Sequence, residues 1–192
     1  MELAPATLPL LIAELTRQLA GFLAWLLAAS ALHKALDPAA SVAAAAALTR
    51  RPAAAGTAAV RPGPGARALT VLAIVLEGGA CALLFASGPL LRAGALLAAA
   101  LFAAYGAALA VALREGRTAI DCGCHFGSHR PEIGGFDLKR NAVLIALAAA
   151  VLAGARWAAP LTLRHLLVGA GGLALYVALD AVRGLAPERR AA

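Results

Sequence analysis

Apolar residues run along this chain in long blocks broken by brief polar or turn-forming stretches, with no alternation of the kind a half-buried strand shows. Five blocks approach the roughly 20 residues needed to cross a hydrocarbon core as a helix. They cover Leu8–Leu36, Ala68–Ser87, Leu90–Leu113, Ala142–Trp157 and Leu161–Val182, the fourth being short at its apolar core. The turns at Gly88-Pro89 and Ala159-Pro160 are tight, which predicts antiparallel neighbours for the second and third spans and for the fourth and fifth. Asp37-Pro38 ends the first helix, because proline cannot donate to the hydrogen-bond ladder. The Ala-rich stretch from Ala39 to Leu48 then predicts a short surface helix, and the Pro/Gly-rich stretch from Arg61 to Gly65 an irregular loop. The remaining connection, Arg114–Lys139, is the longest polar segment.

Composition turns these blocks into membrane spans. Hydrophobic residues make up 62% and charged residues 14% of the 192 positions, against roughly 45–50% and 25% in soluble domains. Mean hydropathy is +0.82. A soluble core cannot bury that apolar share, so lipid must face much of the surface. The length suits one unit, read as a membrane domain over residues 8–183 and a short basic cytoplasmic tail over residues 184–192.

The net charge of +7 does not point to nucleic acid, since the basic residues lie between apolar blocks and line no polar helix face. They read as topology determinants instead. Thirteen of the seventeen Lys and Arg fall on one side of the five spans, and only Arg17, Arg92, Arg156 and Arg164 on the other. By the positive-inside rule the N-terminus lies outside and both long loops lie in the cytoplasm. The first block reads as a retained span, because Glu2 and Glu14 precede Arg17 where a cleaved signal carries positive charge.

Candidate chemistry concentrates in the Arg114–Lys139 loop. Cys122-Gly123-Cys124 places two thiols one residue apart, and Gly123 supplies the bend that a disulfide between them requires. So small a ring is strained, and strained disulfides are the more oxidising ones, which suits a pair that exchanges electrons. Asp121, His125 and His129 beside the same thiols also form a set of zinc or copper ligand types, although the thiol spacing is shorter than in structural zinc sites. Two reduced thiols in an interfacial loop are the third reading. Glu77 lies near mid-bilayer in the second span, where an ionisable group costs at least about 2.5 kcal/mol. It must face the bundle interior, as a hydrogen-bonded packing residue or as a proton-transfer group, and Tyr105 lies at similar depth in the third span. Lys34, next to His33 at the inner end of the first span, reads as a cation snorkelling to the interface. Arg140-Asn141 opens the fourth span, with Asn141 placed to cap or bridge helices and Arg140 to meet headgroups or loop carboxylates. Cys81 reads as a small hydrophobe within its helix, remote from the cysteine pair.

Together these residues resemble the methylamine-utilisation MauE family, a branch near the DoxX-like membrane proteins. The resemblance rests on Lys34-Ala35-Leu36-Asp37-Pro38 at the end of the first helix, Leu76-Glu77 in the second, Asp121-Cys122-Gly123-Cys124 followed by Phe126-Gly127, and Arg140-Asn141. His125 departs from the commoner pattern, in which the second cysteine runs straight into Phe-Gly, and it sustains the metal alternative. The resemblance implies an all-α, multi-pass bundle of four core helices plus one in a bacterial inner membrane. It also implies a role in maturing the disulfide-rich small subunit of periplasmic methylamine dehydrogenase, or general thiol–disulfide exchange, with a thioredoxin-like partner. Cys122 and Cys124 would be the exchanging pair, supported by Glu77, Lys34, His125, Arg140 and Asn141, with no cofactor. Two rival functions stand beside it: a non-enzymatic scaffold binding metal or a partner through the loop, and a DoxX-like protein that binds quinone or a small solute through Glu77. The charge count sets the cysteine loop inside while the client's disulfides form outside. A relay across the bilayer, a loop folded against the core, or an inverted topology each reconciles the two.

Overall fold

The computed structural model of the chain describes residues 7–49, 63–118 and 133–185. Six helices account for nearly all of these: α1 (Thr7–Leu36), α2 (Pro38–Thr49), α3 (Pro64–Phe85), α4 (Pro89–Arg114), α5 (Gly135–Gly154) and α6 (Leu163–Leu185). The protein is therefore an all-helical, multi-pass membrane bundle. α1, α3, α4 and α6 are long and apolar enough to cross a bilayer. α5 matches the expected fourth span but starts earlier, at Gly135, so that Asp137, Lys139 and Arg140 belong to its first turns and dilute its apolar character.

Local sequence sets where the helices start and stop. Asp37 stands between α1 and α2, and its carboxylate accepts the Ala40 N–H at 3.0 Å as an N-cap. Pro38 takes the first helical position, where its missing N–H costs nothing. The surface helix foreseen for the Ala-rich stretch is thus α2; it has no fully buried residue and lies mainly on α3. Proline also opens α3 at Pro64 and α4 at Pro89. Between α3 and α4, Gly88 takes φ +63, a conformation that a side chain disfavours, and this makes the turn tight.

α1, α3, α4 and α5 form the core as a closed ring in which α1 touches α3 and α5, and α4 touches the same two. All four supply fully buried apolar side chains, among them Leu23 and Leu27, Leu84, Leu91 and Phe102, and Val151. Small residues let the backbones meet. A Cβ placed on Gly94 of α4 would come within 2.7 Å of the Leu84 backbone nitrogen of α3. The connections divide the bundle into a turn end, with the α3–α4 and α5–α6 links, and a loop end, where α1 and α4 finish and α3 and α5 begin.

α6 is the additional helix, and its place corrects one expectation. The Ala159-Pro160 turn predicts α5 and α6 as neighbours, yet α6 packs on α1 and scarcely touches α5. The connector between them runs from Ala155 to Thr162, long enough to step across, and Ala159 N–H bonds to the Ala13 carbonyl of α1. Gly169 of α6 then meets Gly21 of α1 so closely that an added Cβ would lie 2.7 Å from the Gly21 backbone carbon. Trp25 Nε1 donates to the Leu166 carbonyl across the same interface at 3.1 Å.

Candidate functional site

Glu77 is fully buried in α3, and every donor around it comes from a neighbouring helix. Lys34 of α1 donates to both carboxylate oxygens, at 2.8 Å and 3.0 Å. Ser30, one turn earlier on the same face of α1, donates to Oε1 at 3.0 Å and accepts from Lys34 Nζ at 2.6 Å. Tyr105 of α4 donates its hydroxyl to Oε1 at 2.5 Å, and the Lys34 ammonium also lies 5.5 Å from the Tyr105 ring centre. Lys34 therefore does not snorkel: its side chain is 11% exposed, and its charge is held by a carboxylate with 0% exposure. The ring of helices explains this arrangement, because α1 and α4 both flank α3 and present these side chains to its buried face.

Arg140 and Asn141 of α5 reach the same place. With Glu77, Ser30 and Tyr105 they line a small cavity of about 40 Å³. Asn141 does not bridge helices; its amide donates back to the Asp137 carbonyl at 2.9 Å within α5. Arg140 lies 3.7 Å from Asp137 of its own helix, and Asp137 accepts the Gly134 N–H at 2.9 Å as a cap. All four core helices thus contribute polar groups to one buried locus: a carboxylate, an ammonium, a phenol, a hydroxyl, a guanidinium and an amide. In this set Tyr105 and Lys34 both donate to one acceptor, Glu77.

Cys122, Cys124 and His125 lie outside the described residues, as do Asp121 and His129 of the metal alternative. The base of their loop is described. Ile133 N–H donates to the Thr118 carbonyl at 2.8 Å, so the segment leaves and returns at one point. Ile133 is buried against Leu109 and Ala112 of α4, and Arg117 donates to the Ala47 carbonyl of α2 at 2.7 Å. Arg117, Thr118 and Ile133, which flank it, are thereby held at the loop end of the ring, the end towards which Lys34 lies. Cys81 is a half-buried free thiol in α3, one turn from Glu77 on the side of the turn end. Among the described residues no group of three or more His, Cys, Asp or Glu is placed to hold a metal.

The sequence reading did not reveal the Lys34–Glu77 pair, although Ser30 and Lys34 at i and i+4 signal a polar stripe on an apolar helix. Nor did it reveal two buried polar groups at the turn end. Arg17, counted by charge as a peripheral cation, is 1% exposed. It donates to the Ala159 carbonyl at 2.7 Å, the Ala86 carbonyl at 2.8 Å and Ser87 Oγ at 3.1 Å, tying both turns to α1. His165, also 1% exposed, accepts the Thr162 N–H through Nδ1 at 3.1 Å and meets Glu14 through Nε2 at 2.9 Å, while Arg164 pairs with the same carboxylate.

Comparison with known proteins places this architecture. No solved structure matches the chain. One curated relative is the methylamine utilization protein MauE of Paracoccus denitrificans, 36% identical over 107 residues that cover 54% of this chain and 58% of that protein. The match thus spans a little over half of the relative's length. The family model described as methylamine utilisation protein MauE matches residues 9–154, from the start of α1 to the end of α5, and so takes in the whole core ring, Lys34, Glu77, the cysteine loop and Arg140-Asn141. The chain belongs to the methylamine utilisation protein MauE family.

Proposed function

We propose that this membrane protein supports methylamine utilisation through thiol–disulfide exchange at Cys122 and Cys124, passing a disulfide between a thioredoxin-like partner and the methylamine dehydrogenase small subunit outside the inner membrane. In each cycle the Cys122–Cys124 disulfide takes two electrons and two protons from a pair of client thiols. The client gains a disulfide, and the partner, in its disulfide form, reoxidises the pair. The observation that carries this reading is the anchoring of the cysteine-bearing segment at its base, by Ile133 N–H to the Thr118 carbonyl, on the ring that holds the Glu77 site. In this reading Lys34, Glu77 and Tyr105, joined by hydrogen bonds, hold and hand on protons as the thiols ionise and reform. Direct exchange with a client outside the membrane requires the loop end to face outward in this proposal, the inverse of the topology that the charge bias of the chain favours.

The test is alkylation of Cys122 and Cys124 in intact cells with membrane-permeant and membrane-impermeant reagents. Labelling that appears only after reduction, and that shifts with the oxidation state of the medium, supports the exchange; the reagent that labels decides the side. Thiols that remain reduced under every condition sink it.

A second reading draws support from an apolar cavity of about 390 Å³ between α2, α3 and α4, which carries Lys34 and Tyr105 on its wall. It suits a lipophilic small solute such as a quinone, recognised through the Glu77 site. Full activity in a Cys122→Ser, Cys124→Ser double variant favours that reading over exchange.

A further inference from the structure

Displacing α6 from α5 onto α1 leaves a lateral groove. α5 and α6 scarcely touch, and between them, floored by α1, lies a cavity of about 550 Å³. That volume falls in the range of pockets that take small organic ligands, about 300–1,000 Å³. Its walls are apolar, with Phe22 of α1 at the back and Leu147 of α5 and Leu179 of α6 at the sides. Phe22 is fixed there, edge-on to Tyr176 at 6.2 Å and seated over Gly172.

The polar rim sits at one end only. Lys139 and Arg140 of α5 and Asp180 of α6 all line the groove at its loop end. Arg140 and Asp180 are buried and engaged with other groups. Lys139 is exposed and has no ion-pair partner among the described residues. The groove thus joins an open ammonium, with a guanidinium beside it, to an apolar slot that runs towards mid-membrane. Its long walls have no complement in a water-soluble anion, whereas a phospholipid meets both halves, phosphate at the rim and acyl chain in the slot.

From this geometry we infer that the α1–α5–α6 groove is a binding site for an anionic phospholipid, with Lys139 as the residue that reads the headgroup charge. A basic pocket between membrane helices at the headgroup level is the physical setting in which such lipids are held. The lipid also completes the fold, covering apolar surface on Phe22 and Leu147 that α5 and α6 do not cover for one another. The site shares Arg140 with the Glu77 locus but is read by Lys139, and it does not depend on the cysteine chemistry.

The experiment is native mass spectrometry of the full chain, delipidated in detergent and titrated with phosphatidylglycerol or phosphatidylcholine of identical acyl chains. Wild-type protein retains the anionic lipid about fivefold or more tightly, the scale of one basic residue acting at a membrane surface. Lys139→Gln brings the two lipids to near parity, and Lys139→Arg keeps the preference. Arg92→Gln, at the turn end, leaves it intact. Leu179→Trp, at an exposed position on the groove wall, lowers retention of both lipids without changing their ratio. Equal retention of the two lipids by the wild type overturns the proposal. So does a loss in Arg92→Gln as large as in Lys139→Gln, which would reveal a diffuse field, or unchanged retention in Leu179→Trp. Inorganic phosphate in millimolar excess leaves the bound phosphatidylglycerol in place; displacement by it would make this a free-phosphate site and refute the lipid.

Discussion

Removing either partner of the Lys34–Glu77 pair should have very unequal effects. In Lys34→Met the Glu77 carboxylate stays at 0% exposure and keeps only the Ser30 and Tyr105 donors. Removing one partner of a buried ion pair costs about 3–5 kcal/mol, because the remaining charge has lost its compensation. Glu77→Gln differs in kind. The amide oxygen still accepts from Tyr105 and Ser30, and Lys34, already 11% exposed and near the end of α1, can extend its ammonium towards the headgroups. That leaves the loss of one charge-assisted interaction, about 1.5–3 kcal/mol before the lysine relaxes and less afterwards. The double variant removes both charges and should lie close to Glu77→Gln alone, so the coupling energy matches in size the cost of Lys34→Met, about 3–5 kcal/mol and above the usual range of about 0.5–3. Reversible unfolding of the purified protein in mixed micelles measures all three, with helical circular dichroism as the signal. Lys34→Met losing less than about 1 kcal/mol, or losing no more than Glu77→Gln, would falsify the claim that the buried carboxylate depends on this ammonium.

Two further expectations concern packing. Arg17→Leu deprives the Ala86 and Ala159 carbonyls of their buried donor at about 1–3 kcal/mol each; a melting temperature within a degree of wild type would show that water replaces the guanidinium. Gly94→Val places a branched side chain where even a Cβ would sit 2.7 Å from the α3 backbone, so α3 and α4 must separate at a cost of about 1–3 kcal/mol or more. Cysteine crosslinking between α3 and α4 near this crossing reports that separation, and unchanged efficiency would contradict it.

Much of the fold was legible along the chain. Blocks of some twenty apolar residues dictate helices in lipid, because every backbone N–H and C=O must be paired within its own segment. Asp37-Pro38 and Pro89 fix the starts of α2 and α4 through groups a few residues away, which is why those boundaries follow from local sequence, whereas α3 starts at Pro64, inside the stretch from Arg61 to Gly65 that reads as irregular loop. Glu77 was recognisable as buried for the same local reason, since a carboxylate ten residues into an apolar span has no access to water. Its partner was not. Lys34, read alone, looks like an interfacial cation, and only the contact of α1 with α3 turns it inward. Arg17 was read as a peripheral charge because nothing local says that two turns, some seventy and one hundred and forty residues further on, bring their carbonyls to it.

The sequence by itself determined that this is a membrane bundle, where most of its helices begin and end, and which family motif it carries. Those properties depend on solvent preference and on short-range hydrogen bonding, both of which act within one segment. Tertiary structure alone decided that α6 lies on α1 and leaves α5, that Lys34 meets Glu77, and that a groove opens between α5 and α6. Lipid is as apolar as leucine, so hydrophobicity does not choose which helices pair. Close approach at small residues and a few buried polar contacts make that choice, at positions such as Gly21 with Gly169 that become neighbours only once the chain has folded.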